Sequence, residues 1–520
     1  MNNSLRHHLS LDKLHYIYRG LVIGLLAGAA TAAFRFSIEK ILVVFQAVFH
    51  KIRMGQWSLL YPLVGVLILF GVIVGLLLRR APQISGSGIP QVEAQLDEEL
   101  DYNWWQILWQ KFVGGVLAIG PGLFLGREGP SIQLGAAVGQ GTAEITRVSG
   151  SDRRIMIAAG AAGGLSAAFN APIAGTMFVL EEIYHNFSYP VWLTSLASAV
   201  AANFVSLNVF GMQPILHLNY QRSLPVNLYW HLLLLGIILG LLGRLYQIVL
   251  LNQDKFYRYF KFIPKAFLGL VPLLVLIPLG IWHPDWLGGG NGVILNFNQA
   301  TINLGYLVTL FLVRFLFSMM SYGSGLPGGI FLPILTLGAI IGALYAAVMI
   351  HLGWLPQGYW HNLVIFAMAG YFAAIGKAPF TAILLVTEMV GSLVHLMPLA
   401  VLSLVAYLVV DILNGDAIYE ALRQRLTVIH KIMTSRNLDQ VQVPIFEAPG
   451  AHAFKVMDLQ WPENSLLISI QRGEKHLIPH GSSRVHPGDT LILLVPSGQA
   501  GAMRRLIQQH IESIYTGKPQ

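Results

Sequence analysis

The chain has no cysteine and few charged side chains. None of its 520 residues is cysteine, and Asp, Glu, Lys and Arg together make up 11%. Without cysteine the protein can form neither a disulfide nor a thiolate metal site. A soluble globular chain carries about 25% charged residues, whereas this chain is 55% hydrophobic. The composition therefore predicts a protein that crosses a membrane several times.

Long stretches lack Asp, Glu, Lys and Arg altogether. They cover residues 57 to 78, 156 to 180, 315 to 376 and 389 to 410, and a spanning helix needs about 20 such residues. A helix from residue 16 to 48 is expected behind a polar, basic segment of residues 1 to 15 that we interpret as cytoplasmic. A cleaved signal peptide is the alternative for this apolar segment. The net charge of +8 is typical of basic loop flanks, so it does not indicate a nucleic-acid partner.

One short motif places two charges inside an apolar region. Gly126, Arg127, Glu128, Gly129 and Pro130 are consecutive, and a charged residue at membrane depth is costly enough to suggest a function. The glycines allow close backbone approach, and the proline suits the first turn of a helix. Free N–H groups and the positive end of the helix dipole would attract an anion there. Glu128 would then place a carboxylate where such an anion could bind.

A second motif has the same construction. Ser85-Gly86-Ser87-Gly88-Ile89-Pro90 sets a serine between two glycines ahead of a proline. On these residues alone, a glycine-rich turn with a serine cap is the favoured interpretation.

The second half of the chain repeats the first. Residues 332 to 342 match residues 129 to 139, and residues 373 to 379 match residues 167 to 172 with one extra residue. Internal repeats with broken helices are typical of transporters, whose substrate site lies between the halves. In the second copy Ile330 and Phe331 take the places of Arg127 and Glu128. The two copies therefore predict one anion site that carries a single mobile carboxylate.

Two adjacent glutamates end a helix predicted over residues 166 to 184. A carboxylate at a helix C-terminus opposes the dipole, so Glu181 and Glu182 need another reason to be there. The repeat places Glu388 opposite Glu181. Tyr419 begins a late helix expected near residues 417 to 429, and an interfacial tyrosine is the simplest interpretation of its position.

The composition changes after about residue 437. Residues 458 to 497 alternate and turn like a small β-rich domain, with strands expected at residues 465 to 471 and 490 to 495. A turn is expected at residues 472 to 474, another at residues 486 to 489, and a closing helix at residues 500 to 511. His476, His480 and His486 lack the tight spacing of metal ligands, so no metal site is predicted.

Taken together, four features of the chain resemble the chloride-site motifs of the CLC family of chloride channels and proton–chloride exchangers. They are Gly86–Pro90, Gly126–Pro130, Gly329–Pro333 and the late Tyr419, in the family's order. The resemblance implies an all-α polytopic membrane protein with two inverted repeats and broken helices. It covers residues 16 to 430, with repeats at about 16 to 210 and 225 to 430.

The resemblance also implies a role for each matching residue. Ser87 and Tyr419 would hold chloride through their hydroxyls, with the backbone amides of Ile330 and Phe331. Glu128 would be the gating glutamate and the external proton site, and Glu182 the internal proton glutamate that exchangers carry. The supporting residues would be Gly86, Gly88, Lys111, Gly126, Arg127, Gly129 and Glu181.

The function implied is exchange of protons for chloride by a secondary active transporter, not an enzyme. A passive, gated chloride channel of the same fold is the alternative. An intramembrane enzyme is disfavoured, because Ser87 has no histidine base in a matching motif and no His-Glu-x-x-His site occurs. No cofactor is expected, and chloride is the transported ligand. We expect a homodimer in a lipid bilayer, in a prokaryotic plasma membrane, with both termini cytoplasmic.

The tail departs from the better-known family pattern. Residues 451 to 520 resemble the C-terminal lobe of an RCK potassium-channel regulator, through residues 463 to 472, Pro479 and residues 486 to 495. This predicts a small α+β cytoplasmic domain behind a linker of residues 431 to 450. Its expected role is regulation or dimerisation, with a small-molecule ligand whose identity the sequence does not indicate.

Overall fold

The computed structural model of the chain describes residues 11–185, 187–212, 214–216, 223–297, 303–431, 438–445, 453–472, 475–496 and 500–516. The chain divides into two compact units. One comprises Met1–Val92 and Asn103–Leu422, and the other comprises Glu93–Tyr102 and Arg423–Gln520.

Helices account for almost all of the larger unit. Those of the first half are α1 Leu11–Arg53, α2 Leu60–Arg80, α3 Ile89–Leu96, α4 Trp104–Ile119, α5 Glu128–Ile145, α6 Gly150–Phe169, α7 Pro172–Phe178 and α8 Tyr189–Phe210. Those of the second half are α9 Trp230–Leu251, α10 Gln253–Tyr257, α11 Leu270–Trp282, α12 Asn291–Asn296, α13 Leu304–Gly323, α14 Phe331–His351, α15 Trp360–Gly376, α16 Pro379–Val390, α17 Leu396–Ile412 and α18 Ile418–Lys431.

The prediction of a multi-spanning protein is confirmed. Among the described residues, 8 helices are long and apolar enough to cross a membrane. The helix α14 is the most enclosed of these candidates, with 83% of its most apolar window buried, whereas α2 has 28% buried. A helix that is apolar all round and buried packs among other helices, and a more exposed one faces lipid.

The single helix predicted over residues 166 to 184 is wrong. The helix α6 ends at Asn170, whose φ of 52° is left-handed, and α7 then begins with Pro172 at its first turn. The second half breaks at the matching place, where Lys377 has a φ of 58° and Pro379 begins α16. A left-handed residue ends a helix and a proline starts one, so both repeats carry the same break.

Glycines let the repeated helix pairs pack backbone to backbone. A Cβ atom added to Gly135 of α5 would lie 2.1 Å from the carbonyl oxygen of Gly160 in α6. In the second half, a Cβ on Gly338 of α14 would lie 2.6 Å from the carbonyl oxygen of Ala367 in α15. Small residues allow such close packing in lipid. Both glycines belong to the aligned segments, so the repeat predicted from sequence is present in the packing.

The two halves meet through reciprocal contacts. Gly126 and Gly329 form an isolated antiparallel bridge, in which each N–H donates to the other's carbonyl at 2.7 Å. Glu181 at the end of the first repeat accepts hydrogen bonds from the backbone of Thr381 at the start of α16. Glu388 at the end of α16 accepts one from Ala174 at the start of α7. Such exchanges are what an approximate two-fold relation between inverted halves produces.

The smaller unit contains an antiparallel sheet and a closing helix. Its elements are β1 Leu438–Pro444, β2 Phe454–Lys455, β3 Leu466–Arg472, β4 Lys475–Leu477, β5 Arg484–Val485, β6 Thr490–Pro496 and α19 Ala500–Thr516. The four-stranded sheet has the order β1-β6-β3-β4, and β2 pairs with β5. Val441, Ile470, Leu491 and Ile507 belong to one buried core that joins the sheet to α19.

The predicted linker of residues 431 to 450 contains β1, which pairs with β6 along its whole length. The strands and helix predicted at residues 465 to 471, 490 to 495 and 500 to 511 are confirmed within a few residues. The turn at residues 472 to 474 includes Gly473 and Glu474, which lie outside the described residues.

Candidate functional site

The first turns of α3, α5 and α14 come together. A Cβ atom added to Gly129 in the first turn of α5 would lie 2.4 Å from Oγ of Ser87, which precedes α3. A Cβ on Gly329, which precedes α14, would lie 3.2 Å from the backbone nitrogen of Gly129. Glycine, which has no Cβ atom, allows these backbone segments to come this close to one another. The positive ends of three helix dipoles therefore point toward one small volume, which favours an anion.

The Glu128 side chain lies in that volume. Glu128 is fully buried. A Cβ atom on Gly126 would lie 2.3 Å from its Oε2 and 3.2 Å from the backbone nitrogen of Leu332 in α14. The carboxylate thus lies near the backbone nitrogen of Leu332, but neither of its oxygens has a hydrogen-bond partner among the described residues. The side chain lies in the volume toward which the helix N-termini point, and its role as the gating carboxylate stays a prediction.

Arg127 is directed away from Glu128 by charges on α1. Its Nη1 lies 2.6 Å from Oε1 of Glu39, whereas its Nε lies 4.0 Å from Oε1 of Glu128. Glu39 also accepts a hydrogen bond of 3.0 Å from Nε of Arg35. The sequence analysis assigned no role to Arg35 and Glu39. Their spacing of one helical turn on an apolar helix is the signal that could have shown that they form a pair.

Lys111 supports the loop that carries Ser87. Its Nζ donates to the carbonyl oxygens of Ile84 and Gly86 at 2.8 Å each. The same Gly86 carbonyl accepts the N–H of Gly328 at 3.0 Å. The loop therefore presents the Ser87 N–H and hydroxyl from a fixed backbone. Oγ of Ser87 also accepts a long hydrogen bond of 3.4 Å from the N–H of Ile89. Because α3 begins at Ile89, Ser87 forms a serine turn one residue before the cap position and is not the helix cap itself.

The remaining glycines of the two motifs are needed for space. Gly86 and Gly88 have φ of 62° and 93°, in the region that favours glycine. A Cβ on Gly88 would lie 2.6 Å from Oε1 of Gln133. Gln133 in turn donates to the carbonyl oxygen of Gln83 at 3.0 Å, which ties the loop to α5.

Tyr419 belongs to the same cluster of rings as Phe331. The ring of Phe178 packs edge-on against Tyr419 at 6.1 Å and against Phe331 at 5.7 Å. Tyr419 is fully buried, and its hydroxyl has no hydrogen-bond partner within the part of the chain that the structure describes. A buried hydroxyl normally finds a partner, so this one is suited to hold a ligand. Ile330 and Phe331 are themselves buried at the start of α14.

Glu182 and Glu181 have different surroundings. Both lie in a π-helical turn of residues 179 to 183. Glu182 is only 4% exposed. Glu181 caps α16 through the N–H groups of Phe380 and Thr381 at 3.2 and 2.7 Å, which supplies the missing reason for a carboxylate at this position.

Tyr322 is a site residue that sequence reasoning did not identify. It lies in the last turn of α13, and a Cβ atom on Gly86 would lie 3.4 Å from its hydroxyl oxygen. Its hydroxyl therefore lies beside the loop that carries Ser87. A polar ring just before the Gly325–Pro333 motif is the signal that the sequence offered.

The smaller unit contains a separate charged cluster. Arg423 of α18 lies 3.6 Å from Glu93 and 3.7 Å from Glu99, and it also pairs with Asp97. Two arginines of α19 pair with the same short segment: Arg504 with Glu98 at 2.9 Å and Arg505 with Glu99 at 2.6 Å. Residues 93 to 96 continue the helix that follows Ser87, so the cluster holds the far end of that helix.

Two family models and several curated proteins match the chain in sequence. Residues 70–411 match a family described as voltage gated chloride channel, and residues 455–508 match the TrkA-C domain. The H(+)/Cl(-) exchange transporter ClcA of Vibrio cholerae is 35% identical over 460 residues, which are 85% of this chain and 95% of that protein. The protein of that name from Klebsiella pneumoniae is 34% identical over 442 residues, which are 81% and 92%.

Two solved structures are similar as well. One, described as a slow cyanobacterial Cl-/H+ antiporter, has a TM-score of 0.72 at 30% identity and covers 79% of this chain and 97% of that one. The other, a CLC-type fluoride/proton antiporter, has a TM-score of 0.63 at 24% identity and covers 77% and 96%. The second likeness concerns the fold alone.

Proposed function

Because the chain belongs to the voltage gated chloride channel family, we propose that it exchanges chloride for protons across a membrane. The observation that carries the proposal is the buried Glu128 carboxylate lying among the N-termini of α5 and α14. The relatives whose names specify H(+)/Cl(-) exchange support the choice of ions. The protein is a transporter, not an enzyme, and we infer that its transport is secondary active.

The exchange follows from competition for one place. Chloride and the ionised Glu128 carboxylate are both stabilised by the same N–H groups and helix dipoles. Two negative charges so close together repel, so bound chloride favours protonation of the side chain. Protonation removes the charge and frees Glu128 to leave the N-termini. Proton occupancy and chloride occupancy are thereby linked.

The chloride ligands are the groups that face this volume. The hydroxyls of Ser87 and Tyr419 donate to the ion, together with the backbone N–H groups of Ile330 and Phe331. Tyr419 supports this assignment, since its hydroxyl is buried without a hydrogen-bond partner among the described residues. No resident cofactor is needed, because a positioned set of donors is sufficient to bind a halide.

Glu182 is the second proton station. It is buried at the end of the first repeat. A proton that crosses an apolar interior needs titratable groups along its route. Glu128 and Glu182 therefore serve the external and internal ends of the proton route, with Tyr419 between them.

The experiment is proton uptake into liposomes driven by an outward chloride gradient. We expect the parent protein to pump protons uphill. Glu182→Gln and Glu128→Gln should both abolish proton movement while chloride still flows. Glu144→Gln is the matched control, because this carboxylate is exposed at the far end of α5 and its contacts are with Gln140 at 2.8 Å and Arg153 at 3.6 Å, not with the site. Uphill pumping by Glu182→Gln at the parent ratio would overturn the assignment of the internal station.

A passive chloride channel gated by Glu128 is the second candidate. The buried Glu182 beside Tyr419 favours exchange over this alternative, because a channel needs no second proton site. In the same liposomes, chloride efflux by the parent protein without any proton movement would favour the channel.

The proposal also covers the oligomeric state, the membrane and the C-terminal domain. We infer a homodimer in a prokaryotic plasma membrane, with both termini in the cytoplasm and the transport domain formed by residues 16 to 430. The C-terminal residues that match the TrkA-C domain would form a cytoplasmic regulatory domain that takes a small-molecule ligand. The pairing of Arg504 and Arg505 with Glu98 and Glu99, just after α3, supports a regulatory role.

A further inference from the structure

A large cavity opens on the surface of the larger unit. It has a volume of about 1090 Å³ and is lined by residues of α9, α10, α11 and α13. Several of its apolar side chains are exposed, with Leu316 at 63% and Ile248 at 47%. The helices α9, α11 and α13 are among those long and apolar enough to cross a membrane. Exposed apolar side chains on such helices face lipid, so the cavity opens into the bilayer.

The polar groups of the cavity all come from one short segment at the junction of α9 and α10. They are Asn252, Gln253 and Lys255, and the other lining residues are apolar. Two contacts fix this segment against the end of α13. The Tyr257 hydroxyl donates to the carbonyl oxygen of Met320, and a Cβ atom on Gly323 would lie 2.8 Å from Cβ of Gln253. The cavity therefore has an apolar body and one fixed polar end, which suits an amphiphilic ligand.

The polar end continues into a basic and aromatic segment of residues 252 to 269. The segment has a single acidic residue, Asp254, and four basic residues, all of them exposed: Lys255, Arg258, Lys261 and Lys265. Tyr259 and Phe262 are more than four-fifths exposed, at 83% and 81%. Aromatic side chains of this kind lie at the level of the lipid headgroups. The segment thus combines an excess of positive charge with anchors at the membrane interface.

Other basic residues lie on the same side of the membrane. The helix α2 ends in Arg79 and Arg80, and a Cβ atom on Gly75 near that end would lie 2.4 Å from the ring of Phe267. The end of α2 therefore lies beside the basic segment. Basic residues concentrate in cytoplasmic loops, so this end of the cavity faces the leaflet whose negative surface attracts clustered lysine and arginine.

We propose that the cavity binds a phospholipid with an anionic headgroup. An acyl chain lies between α9, α11 and α13, and the phosphate lies at Lys255. Four basic residues beside a spanning helix attract anionic headgroups. A zwitterionic headgroup carries no net charge for the segment to attract, so the apolar body alone does not select it. The site is independent of the ion that the protein transports.

A photoactivatable phosphatidylglycerol tests the proposal. It carries a diazirine in its acyl chain and is added to phosphatidylcholine liposomes that contain the full-length protein. Labelled peptides should come from α9, α11 and α13. A phosphatidylcholine with the same acyl chain, at the same mole fraction, should label them at least about fivefold less. Lys255→Gln should lower labelling by phosphatidylglycerol about fivefold, which matches the attraction that one basic side chain at the surface provides.

Lys51→Gln is the matched control. Lys51 is an exposed lysine in the last turn of α1, and no residue of α1 lines the cavity, so this variant should be labelled like the parent. Leu316→Trp fills the apolar body and should lower labelling by either lipid. If Leu316→Trp does not fold, Lys255→Gln still decides, because it changes an exposed side chain. Equal labelling by the two lipids, or parent-level labelling of Lys255→Gln, would overturn the proposal.

Discussion

Two glutamates near the anion motif differ in their partners. Glu39 lies between Arg35 and Arg127 and contacts both, whereas Glu128 is fully buried and neither of its carboxylate oxygens has a hydrogen-bond partner among the described residues. A charge removed from water is costly unless it is paired or hydrogen-bonded. Glu39 offers Arg127 an alternative partner, so the arginine lies no closer than 4.0 Å to Glu128. The burial of Glu128 without a close partner therefore favours its protonated, uncharged form.

Asp489 shows the same principle outside the membrane and gives a pH prediction. It is 2% exposed, and it accepts two hydrogen bonds of 2.8 Å from Arg472 and one of 2.8 Å from the N–H of His486. Burial alone would raise the pKa of Asp489, but Arg472 and the His486 N–H hold the pKa below its usual value. Because the pKa is lowered on folding, the ionised Asp489 carboxylate stabilises the folded unit above about pH 4. That contribution is lost as the pH falls through the pKa that Asp489 has in the folded protein.

We expect Asp489→Asn to destabilise the C-terminal sheet by about 1–3 kcal/mol at pH 7. Hydrogen exchange of peptides from β3 and β6 in the full-length protein, corrected for intrinsic rates, measures this loss. Below about pH 4 the parent should approach the variant. Asp458→Asn is the control, because Asp458 accepts only a single exposed hydrogen bond from the Lys455 N–H. Equal protection of the parent at pH 7 and pH 3 would contradict the prediction.

At the scale of the helices, the two repeats cap each other. Glu181 closes the start of α16 with three hydrogen bonds, two from backbone N–H groups and one from the Thr381 hydroxyl. Glu388 closes the start of α7 with bonds from Ile173 and Ala174 at 3.1 and 2.7 Å. Each glutamate lies near the C-terminal end of its own helix, where its charge opposes the helix dipole. The N–H groups at the N-terminal end of the partner helix stabilise that charge.

Glu181→Ala and Glu388→Ala should therefore each lower stability, by about 0.5–2 kcal/mol, the range for loss of a helix cap. The effects should be similar and should add, since the two caps share no hydrogen-bond partner. Thermal unfolding of the purified protein is the measurement. Glu144→Ala should have little effect, because exposed ion pairs contribute little. A loss confined to one of the two variants would show that the caps are not equivalent.

The sequence predicts the repeats better than it predicts the helix breaks. The aligned glycines and prolines indicate two related halves, and the anion motifs indicate which turns come together. The break at Asn170 was misplaced because the apolar run continues through it, although Asn170 followed by Pro172 is itself a helix-stop signal. Tyr322 was missed because a single tyrosine is usually part of the packing, and only its place beside Gly86, in the loop before α3, distinguishes it.

At the scale of the whole molecule, composition separates a membrane part from a β-rich tail, and each has its own core. It does not show that Glu93–Tyr102, far earlier in the chain, group with the C-terminal residues. That grouping depends on individual pairs between arginines and carboxylates, which no periodicity reveals. The C-terminal part of this unit begins at Arg423, within α18, so β1 in the predicted linker already belongs to it. Arg423 itself contacts Glu93 and Glu99.

The last prediction concerns this link. Arg504 of α19 pairs with Glu98 at 2.9 Å and also donates to the carbonyl oxygen of Gln442 at 3.1 Å. Glu98 follows α3, and Ser87 precedes the same helix, so a change in the contacts of Glu98 should reach the chloride site along α3.

Arg504→Glu should replace attraction by repulsion, expose residues 93 to 102 to faster hydrogen exchange, and change the chloride flux at least about twofold. The double variant Arg504→Glu with Glu98→Arg should restore both, whereas Arg484→Glu, an exposed change on β5, should alter neither. If the flux of the single variant equals that of the parent although exchange in the segment is faster, the C-terminal unit does not act on transport through α3.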